Sequence, residues 1–135
     1  MLNTNTNNIN TILNNIKFTT KIADEQKDLF TPANTLFKCK IKYNGKQYSF
    51  DYQCNTNYKE PNKKDCLYCL LSDASCFNCS TSVDEFLTEF GYADNLQNIR
   101  KGEKAYNTCK RTAKALNRLF IEDEIELLNA YFENY

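Results

Sequence analysis

Four of the chain's seven cysteines fall within DCLYCLLSDASCFNC, at Cys66, Cys69, Cys76 and Cys79. Two CxxC pairs supply four thiolates, the number that a tetrahedral zinc ion takes. The same residues admit two other readings. They could form a dithiol redox pair, or they could be small buried apolar side chains, since free cysteine is among the most buried residue types. Spacing weighs against zinc. Structural sites commonly hold CxxC on a tight turn and leave a dozen or more residues between pairs, whereas six separate Cys69 from Cys76. The first pair falls inside a predicted helix, where Cys66 and Cys69 flank Leu70 on the side expected to face the core. The second pair falls in the loop expected before the next helix. Packing is therefore the leading expectation for Cys66 and Cys69, together with Cys39 and Cys109. Zinc held by Cys66, Cys69, Cys76 and Cys79 is the alternative, and a reactive pair at Cys76 and Cys79 is a third reading.

Other catalytic chemistry finds little to work with. The chain has no histidine, which removes Ser-His-Asp triads, Cys-His dyads and HExxH metal sites. Three glycines build no phosphate-cradling loop. The acids of EDEIELLNAYFE read as a solvated helix face. The expectation is a protein without enzymatic activity.

A different pattern lies between Arg100 and Arg118. At about 100° per residue, Arg100, Lys104, Asn107, Arg111, Lys114 and Arg118 fall on one side of a helix, within about 80° of one another. Tyr106, Cys109, Ala113, Leu116 and Phe120 fall on the other. At about 1.5 Å per residue the stripe is about 27 Å long, enough to follow several phosphates or an acidic protein groove. A solvated amphipathic face explains the same pattern, and the acidic final helix could neutralise part of it.

The elements that position these residues are legible in outline. Ile16, Phe18, Thr20 and Ile22 alternate as a strand. FKCKIKYNGKQYSFDY reads as a hairpin about Asn44-Gly45, the favoured type I′ turn. Its register pairs Tyr43 with Lys46, Ile41 with Tyr48, Cys39 with Phe50 and Phe37 with Tyr52. One face is then apolar, and Lys38, Lys40 and Lys42 stand on the other as a second, smaller basic candidate. Helices are expected from Asn62 to about Asp73, from the Ser82-x-x-Glu85 capping box to Gly91, from about Gln97 to Phe120, and from about Glu122 to Phe132. The sum is an α+β fold: an antiparallel three-stranded sheet with one face packed by three to four helices. Residues 1–15, with seven Asn, are expected to be a mobile tail, although Ile9, Ile12, Leu13 and Ile16 hold helical spacing. Residues 16–135 are expected to form one domain.

Lys plus Arg and Asp plus Glu balance at 17 each, so no bulk charge draws the chain to nucleic acid or membrane. No apolar run approaches the ~20 residues of a membrane span. The first residues lack the charged and apolar regions of a secretory signal, so a cytoplasmic setting with reduced thiols is expected.

The stretches FKCKIKYNGKQYSFDY, CLLSDAS, FLTEFGYAD and KAYNTCKRTAKALNRLF, in this order over roughly residues 35–120, resemble a family of small proteins encoded by bacteriophages and other mobile elements. The resemblance transfers no catalytic residue. Its pattern has Cys where Cys69 stands, an apolar residue where Cys66 stands, and no thiols matching Cys76 and Cys79. It implies a phage-derived protein, of the anti-CRISPR kind, that binds and blocks a host defence effector in the host cytoplasm, with an RNA-guided CRISPR nuclease or its guide RNA as partner. The alternative is a nucleic-acid-binding accessory protein that uses the basic helix, with or without a zinc-clamped loop.

Overall fold

A computed structural model describes residues 4–26, 34–54, 60–80, 82–133 and 135. The elements run α1 (Thr4–Asn15), β1 (Lys17–Gln26), β2 (Asn34–Tyr43), β3 (Lys46–Cys54), α2 (Lys63–Asn78), α3 (Val83–Glu89), α4 (Leu96–Leu119) and α5 (Glu122–Phe132). The fold is α+β, with a three-stranded antiparallel sheet in the order β1-β2-β3 and five helices among the described residues. The polar stretch around Pro32 lies outside the described residues. The chain divides into two compact units, Met1–Leu67 with Leu119–Tyr135, and Tyr68–Arg118.

In the first unit the hairpin register follows from the turn. Asn44 and Gly45 have φ of 52° and 78°, the two left-handed residues that a type I′ turn requires. Pairing then runs Tyr43↔Lys46, Ile41↔Tyr48, Cys39↔Phe50 and Phe37↔Tyr52, as the sequence predicted. The alternation sends Phe37, Cys39 and Ile41 into the core. Phe37 and Cys39 cluster with Cys66, from the first turns of α2, and Phe18, Phe50 and Tyr52 pack around them. On the next residue of the same face, Tyr43 packs on Phe120 with ring centroids 4.8 Å apart. Its hydroxyl donates to Glu124, whose other oxygen accepts from the Ile121 backbone N–H at 3.0 Å and so caps α5.

The expected tail is instead α1, and its packing shows why. Asn is a poor helix former, but Ile9, Ile12, Leu13 and Ile16 repeat at i, i+3, i+4, i+7 and are all buried. Burying each stabilises by about 1.5–3 kcal/mol, which outweighs the propensity of the Asn residues. Lys63 closes the helix by donating to the carbonyls of Leu13 and Ile16, the latter at 3.0 Å, which satisfies groups a helix end leaves open. The C-terminus is tied down in the same unit: Tyr135 donates to Asp65, and Lys64 lies 5.4 Å from the ring centroid of Tyr131.

The second unit is helical. Ser82 accepts from the Glu85 N–H at 3.2 Å and starts α3. Gly91, at φ 79°, ends it, and the Tyr92 N–H reaches back to the Leu87 carbonyl at 2.8 Å, the bond of a Schellman motif. Asn95 caps α4 by accepting from the Asn98 N–H at 2.9 Å. Phe86 is the centre of an aromatic group, with Phe90 at 4.7 Å and Tyr106 edge-on at 5.4 Å; Phe77 meets Tyr106 at 5.5 Å. Gly102 lets α4 approach this group closely. A Cβ there would lie 2.3 Å from Leu87 Cδ2 and 2.6 Å from Tyr92 Cβ.

Candidate functional site

The start of α2 is as the sequence predicts, its end is not. Asn62 accepts from the Asp65 N–H at 2.8 Å and donates to the Asp65 carboxylate at 3.0 Å, a reciprocal cap that fixes the first turn. The helix then continues to Asn78, five residues beyond the expected end. The apolar repeat Leu70, Leu71, Ala74 continues the buried side, and no Gly or Pro interrupts it. This extension changes the setting of the second cysteine pair. Cys76 sits on the helix instead of in a loop. Cys66 and Cys76 are ten residues apart along α2, so they do not share a helical turn. Cys66 is buried, Cys69 and Cys79 are exposed, and Cys76 is intermediate. Among the described residues, no group of three or more His, Cys, Asp or Glu is placed to hold a metal ion.

Burial also sets the character of the inner thiols. It pushes the Cys39 thiol up, against hydrogen bonds from Thr20 (3.4 Å) and Cys66 that act in the other direction. It pushes the Cys109 thiol up to about 11, with Asp73 and Cys76 adding to the shift. Cys76 is raised by burial, then by Asp73, Cys79 and Glu89. A thiol held protonated is a poor nucleophile, which fits the packing expected of the buried Cys39 and Cys109. Burial likewise raises the Asp73 carboxyl.

The basic stripe is where periodicity put it. Arg100, Lys104, Asn107, Arg111, Lys114 and Arg118 are all exposed on α4. Cys109, Ala113 and Leu116, on the opposite side, are buried, and Tyr106 is half-buried within the aromatic group. Neither Gly nor Pro falls between Glu103 and Arg118, so the cations are carried by an uninterrupted helical rod. Lys104 also borders, with Lys101 and Thr108, a shallow recess of about 360 Å³ that has Asp73 on its wall.

The sheet carries a basic surface larger than the three lysines read from the hairpin. Register pairs Lys17 with Lys42, Thr19 with Lys40 and Lys21 with Lys38, so β1 adds two lysines to the open face. Directly opposed strand residues share a face, and the alternation Phe18, Thr20, Ile22 already implied that Lys17 and Lys21 point the other way. The missing step was the register between β1 and β2, which the sequence did not supply. The one acid on the facing part of β3 is Asp51, which pairs with Lys38 at 2.8 Å.

Comparison of the chain with family models, with curated proteins and with solved structures found no match. The resemblance to phage-encoded proteins thus rests on the quoted motifs alone.

Proposed function

We propose that this protein is a non-catalytic binding protein whose working surface is the basic face of α4, and that it inhibits a host defence effector, an RNA-guided CRISPR nuclease, by occupying its guide-bearing or acidic surface. The observation that carries the reading is the exposure of Arg100, Lys104, Asn107, Arg111, Lys114 and Arg118 along one side of a helix whose other side is buried. A helix anchored in this way holds its cations at fixed spacing, so less side-chain and segmental entropy is lost on binding. The formal charge of five along about 27 Å suits an RNA backbone or a row of carboxylates. The class of partner is supported by this charge. The choice of a defence nuclease is supported by the motif resemblance.

The test mixes the purified chain with guide-loaded effectors and follows complex formation by gel filtration, then target cleavage by the recovered complex. A complex that no longer cleaves is the expected result. Absence of a complex with every effector tried, or a complex that cleaves at the full rate, defeats the reading. Binding of free RNA with steep salt dependence, and without any effector, would move the function to that of a nucleic-acid accessory protein.

A further inference from the structure

We propose that the open face of the sheet is a second and separate contact surface, one that seats the phosphate backbone of a nucleic-acid duplex. It belongs to the first unit and does not depend on the role given to α4. Lys17, Lys21, Lys38, Lys40 and Lys42 share this face and are all exposed. Along β2 the row from Lys38 to Lys42 spans about 14 Å, at about 3.4 Å per residue. Each strand of a duplex presents one phosphate per about 3.4 Å of axis, so the row runs alongside about four of them.

The face is not flat. The row Thr19, Lys40, Ser49 and the row Lys21, Lys38, Asp51 wall a groove of about 420 Å³ that crosses the three strands. Its floor is the row Thr20, Cys39 and Phe50, whose side chains belong to the other side of the sheet. A backbone ridge fits such a trough, and the hydroxyls of Thr19 and Ser49 stand beside Lys40 as neutral donors, the mix of groups that phosphates recruit.

Two further observations favour a polyanion over other partners. Lys17 directly opposes Lys42, and Lys21 opposes Lys38. Like charges in this arrangement destabilise a sheet, and a bound row of phosphates reverses the sign of that effect. Among the described residues of the sheet, the large exposed apolar residue is Ile22, which pairs with Phe37 and so lies on the other face. Protein interfaces are depleted in Lys and built on apolar or aromatic anchors, and bilayer binding gains from apolar insertion. The lack of aromatics also disfavours a single strand, which is held by stacking.

The test is fluorescence anisotropy of a labelled 16-base-pair duplex with the full chain across a salt series, with circular dichroism confirming that each variant is folded. Lys40→Gln with Lys42→Gln should weaken binding about tenfold at low salt. It should make the slope of log affinity against log salt shallower by about 1.8, since each phosphate contact contributes about 0.9. Asp51→Asn releases Lys38 and should tighten binding and steepen the slope by about 0.9, a gain that a merely structural role for Asp51 would not give. Unchanged affinity in the double variant, weaker binding in Asp51→Asn, preference for a single strand, or lysine-dependent binding of phosphatidylserine vesicles without duplex binding overturns the proposal. Arg111→Gln with Lys114→Gln, run in parallel, reads the α4 surface separately, so the two proposals can fail independently.

Discussion

The two basic surfaces of this chain are built on opposite principles. On α4, every cation comes from one stretch of 19 residues, Arg100 to Arg118, and the helical pitch alone collects them. On the sheet, the lysines come from two strands, and only the register between β1 and β2 makes them a surface. A helix patch is thus encoded locally, whereas a sheet patch is encoded by pairing. The difference extends to energetics. Neighbours on the α4 stripe are three or four residues apart along a solvated face, but the sheet opposes lysines directly across strands, at about 4.5–5.5 Å between Cβ atoms.

The largest effects should come from removing what backs each surface. Phe37 is the buried centre of the apolar side of the sheet, so Phe37→Ala should cost about 3–5 kcal/mol in a denaturant titration. Lys40→Ala, on the same strand but on its open side, should stay within about 0.5 kcal/mol of wild type. Comparable losses at the two positions would remove the distinction between the faces. On α4 the corresponding support is Gly102. Ala is favoured over Gly by about 1 kcal/mol in a helix, yet here its Cβ would meet Leu87 and Tyr92. Overpacking of about 1–3 kcal/mol should win, and a stabilised Gly102→Ala chain would show that α3 and Tyr92 give way freely.

How much of this was legible follows from the same contrast. The Asn-Gly turn specified the hairpin register pair by pair, because its dihedral requirement and the alternation agree. The caps at Asn62 and Ser82 and the face of α4 were equally local and equally readable. What escaped were features decided by distant partners. The Asn-rich start forms α1 because Ile9, Ile12, Leu13 and Ile16 find a core, and its low intrinsic propensity pointed to a tail. Cys76 lies on α2 because the buried side continues through Ala74, where the run of small and polar residues suggested a loop. Lys17 and Lys21 joined the open face through a strand pairing that no turn chemistry announced.

Smaller effects sharpen the comparison through pH. Burial, then the hydrogen bond and charge of Glu124, push the Tyr43 hydroxyl up to about 12 from its ordinary 10. The neutral phenol is therefore the form that the fold favours. This contribution should be complete below pH 10 and decline as pH rises towards 12. Tyr43→Phe should lower stability by about 1 kcal/mol at neutral pH, less than the ~1.5–3 kcal/mol of a buried bond to a charged group because the site is partly exposed. It should also flatten that alkaline decline, as measured by thermal melts between pH 8 and 12. An unchanged alkaline slope in the variant would detach Tyr43 from it. The smallest expected effect has the opposite sign: Lys42→Gln relieves its opposition to Lys17 and should stabilise by about 0.2–1 kcal/mol at low salt, fading as salt is added.

The central claim, that this molecule acts through the basic face of α4, is tested most directly by titrating a guide-loaded RNA-guided nuclease with the wild-type chain and with Arg111→Glu/Lys114→Glu, reading target cleavage. The account predicts that the wild type suppresses cleavage and that the charge-reversed chain, equally folded, needs at least about tenfold more protein, the equivalent of about 1.4 kcal/mol. Suppression at the same concentration by both chains, or cleavage untouched by the wild type, contradicts it.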